Sequence, residues 1–168
     1  MRHKIKSFNQ VLKITNNLKK EGKKIVFVHG FFDILHAGHL QLLLEAKKLG
    51  DVLIVGVDHD DNAKILKGPN RPINNHAVRM FVLSNIEHVD FVFLIPSVKG
   101  KKFDAFSDFY VGEIYQTLRP HFIVSNIKSG QYDKLKKKDA KKIGAKFVNI
   151  PYRYGLSTTK IIKALGLD

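Results

Sequence analysis

The chain has 168 residues, 44% of them hydrophobic and 26% charged, which suits one domain with a full core over residues 1–168. It holds no cysteine, which excludes a disulfide framework, a Cys-based zinc site and a thiol nucleophile, and no apolar run approaches the length of a membrane span. The net charge of +14 is concentrated: residues 1–24 carry eight Lys/Arg against one Glu, residues 126–146 carry eight Lys against two Asp, and the remainder is nearly neutral.

In chain order, Ser7 can cap a helix over residues 8–20, with Phe8, Val11, Leu12 and Leu18 as its apolar stripe and Gly22 ending it. "KIVFVH" is a short, nearly all-apolar run and reads as a buried strand ending at His29. "AGHLQLLLEAKKLG" reads as a helix closed by Gly50, and "DVLIVGVD" as a second buried strand. "NNHAVRMFVLSNI" is a helix with Asn74 or Asn75 as its cap, and "VDFVFLI" a third strand. Residues 104–118 are read as helical. "HFIVSNI", a Lys-rich helix, "AKFVNI" and a last helix from Ser157 complete the order. Buried strands separated by helices imply an α/β fold, a Rossmann-like doubly wound parallel sheet of about five strands with helices on both faces. Ligands in such folds sit beyond the C-terminal strand ends, at the switch in strand order.

The stretch "HGFFDILHAGH" lies where that rule puts a ligand. Gly30 permits a tight turn and close backbone approach after the strand. Ala37, Gly38 and His39 begin a helix whose free N–H groups and dipole favour an anion. His36 and His39, at i and i+3, share one face of its first turn. Gly38 lets a ligand pass between them. Together these groups make a polyphosphate site. Zinc is the competing reading of two histidines, but a structural site wants four ligands and no Cys is available; no protein metal site is assigned. The Lys-rich segments read as solvated helix faces, or as attraction for polyanionic substrates or nucleic acid. "KLKKKDAKK" has no interleaved aromatics to stack bases, so nucleic acid is disfavoured as a partner. The basic N-terminus lacks an apolar signal core and a cleavage site, so a cytoplasmic protein with no membrane partner is expected.

"GFFDILHAGH" resembles the signature of the HxGH nucleotidyltransferases, the cytidylyltransferase-like superfamily, and "YGLSTTKII" resembles that family's second signature. The resemblance covers nearly the whole chain. Through "LKGPNRPIN" with Arg79 just after it, "LRPHFIV" and "KSGQY", it is closest to the heptose 1-phosphate adenylyltransferase branch. It implies transfer of a nucleoside monophosphate from an NTP, ATP in that branch, to a sugar phosphate, with Mg²⁺ arriving on the NTP and small molecules as partners. A cytidylyltransferase using CTP on glycerol 3-phosphate shares both signatures, and a non-catalytic nucleotide- or nucleic-acid-binding module is the reading of another class. A homodimer is left open.

Position by position, the resemblance implies that the backbone of Gly30, Phe31 and Phe32 faces the nucleotide phosphates, with His36 and His39 on the α- and β-phosphates and Gly38 between them. Ser157, Thr158 and Thr159 would bring hydroxyls and N–H groups to the β- and γ-phosphates. Asp33 would orient the turn or contact metal or substrate. Asp60 would lie near the acceptor. Lys67, and after it Lys64, would meet the acceptor phosphate or the α-phosphate. Arg79 would bind nucleotide phosphate or anchor the site, and Lys128, Gly130 and Tyr132 match the nucleotide-side loop. Two departures stand out: Gln131 replaces the loop's usual Asp, and His29 the usual Asn.

Overall fold

The computed structural model describes residues 2–98, 110–126, 131–151, 153–155 and 157–166. Its centre is β1 (Ile25–Gly30), whose first four residues are buried. The chain then alternates through α2 (Ala37–Lys47), β2 (Val52–Asp58), α3 (Asp60–Lys67), α4 (His76–Ser84) and β3 (Phe91–Ile95). A π-helical turn, Tyr110–Tyr115, runs into one α-turn, α5 (Gln116–Leu118), then β4 (Phe122–Ser125), α6 (Gln131–Lys142), β5 (Lys146–Asn149) and α7 (Thr158–Ala164). The helix before β1 is α1 (Phe8–Lys20), and its Ser7 cap is a full capping box with Gln10.

The sheet has five strands in the order β3-β2-β1-β4-β5, with every pairing parallel. Because strand side chains alternate, each strand feeds two cores. Val26, Val28, Leu53, Val55 and Val124 pack with α2 and α4 through Leu42, Leu43, Ala46, Met80 and Leu83. Ile25, Phe27, Ile54, Phe93 and Ile123 pack on the opposite face with Val11 of α1, Ile114 and Tyr115 of the π turn, Leu118, and Ala140 of α6. Both Lys-rich segments therefore cover one face of the sheet. Strand order reverses between β1 and β4, and the crevice at their C-terminal ends is the place this topology offers to a ligand.

Three expectations change in detail. The helix of residues 37–50 ends at Lys47, and Gly50 is no helix cap. A Cβ at Gly50 would stand 2.8 Å from the Lys24 carbonyl oxygen, so glycine is needed there for close approach. The cap of α4 is Asn75, which accepts from Val78 N at 3.0 Å, while the Asn74 side chain donates to the Asp33 carbonyl at 2.8 Å. Residues 60–67, to which the sequence reading gave no element, form α3. Its start is marked by Asp60 and Asp61 and its end by Lys64 and Lys67, the arrangement that suits a helix dipole. Of the helix expected over residues 104–118, the part from Tyr110 onward is described and begins as a π turn. Among the described residues no helix is long and apolar enough to cross a membrane.

Candidate active site

The strand-to-helix turn after β1 places the two imidazoles. Gly30 is still strand, paired with Val57, so it does not make the turn. The turning residue is Phe32, at φ +52°, a left-handed conformation that costs a β-carbon residue about 1–2 kcal/mol. Burial of its ring in the core under α2 holds it there. The turn brings the chain to His36, whose extended backbone makes it the cap residue of α2. One turn on, His39 stacks against it with ring centroids 3.9 Å apart and planes 23° from parallel. The ring of Phe32 backs His39 at 5.2 Å.

Both imidazoles are held neutral. Burial lowers the His36 pKa. Burial, and then the repulsion a charged His36 would exert, pull His39 down to about 4, against the Ile34 carbonyl, which favours a proton on it. At this helix N-terminus the dipole and the free amides of the first turn supply the positive end, and each neutral imidazole adds an N–H that an anion can accept from.

Across from this pair stands the N-terminus of α7. Ser157 caps it by accepting from Lys160 N at 3.2 Å, and the Thr158 hydroxyl donates to the Ile34 carbonyl at 3.3 Å, which fastens α7 to the β1–α2 turn. Between the two lies a cleft of about 530 Å³. Phe31, Phe32, Asp33, His36 and His39 line it on one side and Ser157, Thr158 and Thr159 on the other. Lys67, Arg71 and Asn126 close it. Residues 27–164 match the family described as cytidylyltransferase-like. The chain belongs to that family.

Relatives agree with that placement. The bifunctional protein HldE of Aliarcobacter butzleri is 37% identical over 161 residues, which is 96% of this chain and 31% of the relative. HldE of Campylobacter jejuni subsp. doylei is 39% identical over 166 residues, again 96% of this chain and 31% of the relative. The chain spans about a third of the length of these curated relatives. Among solved structures, a lipopolysaccharide core biosynthesis protein from Thermoplasma volcanium superposes with a TM-score of 0.60 at 29% identity, over 79% of this chain and 99% of that one. Pantoate-beta-alanine ligase from Francisella tularensis, complexed with beta-gamma ATP and beta-alanine, shares the fold with a TM-score of 0.66 at 22% identity, over 95% of this chain and 76% of its own.

In this cytidylyltransferase-like chain some of the expected residues are framework. Arg79 is 1% exposed. Its Nε donates to Asn74 O at 2.9 Å, one terminal nitrogen donates to Phe31 O, and the other to Asp58 O at 2.7 Å and Asp60 Oδ1 at 2.6 Å. Of the two roles expected for it, the geometry gives the anchor. The guanidinium ties the ends of β1 and β2 together and is too enclosed to reach a phosphate. Asp60 is correspondingly its counter-ion and also takes His76 Nδ1 at 2.9 Å. Asp33 orients the turn: its carboxylate accepts from Ile73 N at 3.0 Å and Asn74 N at 2.9 Å, and lies 3.4 Å from Arg71. Lys67 reaches the cleft, whereas Lys64 is exposed and does not line it. Gly38 is buried in α2, and its carbonyl lies 3.5 Å from the Asn126 side-chain amide. Lys128 and Gly130 lie outside the described residues, and Tyr132 is placed only as backbone in the first turn of α6.

Other groups have no role assigned from sequence alone. Arg71 and Asn126 line the cleft, and Arg71 sits inside the quoted "LKGPNRPIN". Beneath the strand ends lies a polar cluster. His29 Nε2 stands 2.6 Å from the Tyr115 hydroxyl and its ring stacks on Tyr110 at 4.5 Å. Tyr110 in turn donates to the buried carboxyl of Asp58. Burial pushes Asp58 up to about 6, against the Tyr110 hydrogen bond and the charge of Lys136, and it pushes His29 well down. Period-two alternation could have found this cluster, since His29 and Asp58 continue the stripes of Ile25–Phe27 and Val52–Ile54.

Proposed function

We propose that the chain catalyses nucleotidyl transfer, joining AMP from ATP to a sugar 1-phosphate of the heptose class and releasing pyrophosphate. One observation carries the reading. The stacked, neutral His36/His39 pair at the start of α2 faces Ser157–Thr159 at the start of α7 across a single cleft. Two helix N-termini turned on one space suit a chain of phosphates better than any other common ligand.

The chemistry follows. An oxygen of the acceptor phosphate attacks the α-phosphorus of ATP in line. The new P–O bond forms as the bond from the α-phosphorus to the bridging oxygen breaks, and pyrophosphate leaves with that electron pair. The attacking oxygen is already ionised near pH 7, so no general base is called for. What must be supplied is alignment of two anions and donors for the charge that gathers on the α-phosphate. Imidazole N–H groups, the amides of the first turns and the ammonium of Lys67 supply it. The cleft's carboxylate, Asp33, is engaged by backbone amides and Arg71, so Mg²⁺ would arrive as part of the substrate, with the triphosphate.

The test is a matrix of ATP, CTP, GTP and UTP against heptose, mannose and glycerol phosphates, followed by pyrophosphate release. Turnover led by ATP with a sugar 1-phosphate is expected. Turnover confined to CTP with glycerol 3-phosphate would replace the substrates and keep the chemistry. Silence in every pair would overturn the reading.

A further inference from the structure

Two concavities meet at one wall. Beside the histidine cleft lies a second groove of about 440 Å³, and the two share Lys67, Arg71 and Thr159. The remainder of the groove is Leu66 and the 68–70 loop. That loop is built as a held turn. Gly68 N donates to Lys64 O at 3.0 Å and Arg71 N to Gly68 O at 3.1 Å, with Gly68 at φ +106° and nothing within 4 Å of where its Cβ would be.

Arg71 is the informative residue. Its side chain is only 13% exposed. Yet among the described residues its guanidinium makes one side-chain hydrogen bond, the 3.4 Å contact to Asp33. Asp33 does not depend on it alone, because backbone amides at 3.0 and 2.9 Å already bond each carboxylate oxygen. The contrast with Arg79, eight residues on, is direct: that guanidinium is spent on three carbonyls and a carboxylate. A guanidinium has five N–H donors in a planar fork that matches a phosphate. Arg71 is thus held at the junction with most of its donors unspent, next to the ammonium of Lys67.

We propose that the second groove is the acceptor subsite and that Arg71 is a substrate-binding, specificity-determining residue in it; this rests on the nucleotidyl-transfer reading above. The ligand class is a small phosphate monoester with a hydroxylated body. Its phosphate lies between Lys67 and Arg71, and its body lies over Leu66 and the 68–70 loop, with the Asn70 amide as a donor and acceptor for hydroxyls. The placement meets the demand of in-line attack. The triphosphate occupies the space between the starts of α2 and α7, and the acceptor's phosphate oxygen enters from the shared wall, opposite the leaving pyrophosphate.

The experiment compares Arg71→Met, Arg71→Lys and Asn70→Ala with the unaltered protein. It reads KM and kcat for mannose 1-phosphate with ATP, ATP-analogue affinity without acceptor, and calorimetric binding of mannose 1-phosphate and of inorganic phosphate. Losing charged hydrogen bonds should weaken mannose 1-phosphate binding and raise its KM about ten- to a hundredfold in Arg71→Met. Lysine should recover part of that, as a point charge without the fork. Asn70→Ala should raise the KM for mannose 1-phosphate and leave inorganic phosphate binding as it was. ATP-analogue affinity should stay within about twofold in all three variants, since in this arrangement Arg71 and Asn70 meet the acceptor and not the triphosphate. An equal loss of ATP-analogue affinity would move Arg71 to the nucleotide and overturn the assignment, as would unchanged acceptor KM and binding. If no substrate pair turns over, the functional reading fails alone, because binding of the sugar phosphate and its loss in Arg71→Met are read without turnover.

Discussion

The molecule contains two stacked histidine pairs, and they do opposite things. His36 and His39 stack at 3.9 Å with planes 23° apart, and His59 and His76 at 5.1 Å with planes 26° apart. Both pairs lie at the N-termini of helices on the C-terminal side of the sheet. What separates them is the surroundings that hold each ring. His76 Nδ1 is 2.9 Å from the Asp60 carboxylate and His59 Nδ1 accepts from Asp61 N at 3.2 Å, so each ring of the second pair is already engaged by its own helix or a neighbouring one. The first pair is governed by burial, which keeps it neutral, and it faces an open cleft. An imidazole whose ring nitrogen is already committed to a protein group, as His76 is to the Asp60 carboxylate, is a poor receptor for phosphate, because the added anion must compete with that partner. Ring geometry alone would not have told the two apart.

The sharpest way to break this comparison is to delete each pair. His36→Ala and His39→Ala should each cost about 3 kcal/mol of transition-state stabilisation, a hundredfold or more in turnover, with the fold intact. His76→Ala, which removes a ring of similar exposure from the other pair, should leave turnover within about threefold. Pyrophosphate release and circular dichroism on the same samples decide it. Comparable losses from both pairs would mean that the carboxylates do not mark the difference.

The largest effect on stability, as distinct from turnover, belongs to the framework of the second pair. Arg79→Met would leave Asp60 without its buried cation and strip donors from the carbonyls of Phe31, Asp58 and Asn74. Breaking a buried pair in this way costs about 3–5 kcal/mol. Urea unfolding should show it, whereas the affinity for sulfate, used as a phosphate probe at low temperature, should change little. A variant as stable as the parent would remove Arg79 from the anchor role.

The parts of this molecule legible in its sequence are those fixed by local pattern. Apolar runs between helices gave the parallel sheet, because a strand buried on both faces has no polar side to display. "HGFFDILHAGH" and "YGLSTTKII" gave the two helix starts that face each other, because capping and dipole effects act within a turn. What was illegible depends on partners distant in sequence. Arg79 looks like any surface cation until three carbonyls and Asp60 close around it. Arg71 differs from it only in how few partners it finds. Asp33 reads as a candidate ligand until the loop at 71–74 folds onto it. In sequence the turn at Phe32 points to Gly30, because glycine is the usual left-handed residue, and only core burial lets a phenylalanine take that role.

Acidification sharpens the comparison further. His39 titrates near 4 in the folded chain against an ordinary 6.5, and His36 and His29 are lowered too. Between those values the unfolded chain binds protons that the folded chain refuses, so folding stability falls as pH drops from 6.5 towards 4. Asp58, raised to about 6 from 3.8, acts in the other direction, since the folded chain holds a proton there that the unfolded chain releases. The histidines outnumber it, and a net loss of stability is expected in urea titrations across this range. Asp58→Asn should steepen the loss and His39→Gln should flatten it. Sulfate, which does not titrate in this window, should bind more tightly as pH falls and restore stability by linkage, and His39→Gln should abolish most of that gain. Stability that rises on acidification would contradict the burial of the first pair.

The smallest effect isolates what the second pair does contribute. His59 is the cap of α3, and its Nδ1 accepts from Asp61 N at 3.2 Å. In the neutral ring this leaves the proton on Nε2, so the side chain serves as an acceptor at a helix start, a task usually given to Asn, Asp or Ser. His59→Ala removes the acceptor and should cost about 1 kcal/mol, the ordinary value of a cap. His59→Asn supplies a side-chain oxygen at similar reach and should recover most of it. Both variants should turn over at the parental rate, because α3 carries Lys67 at its far end and loses only its first turn's support. If asparagine fails to restore stability while alanine impairs turnover, the ring at His59 has a role in the reaction beyond its cap, and the two pairs are less different than their surroundings make them.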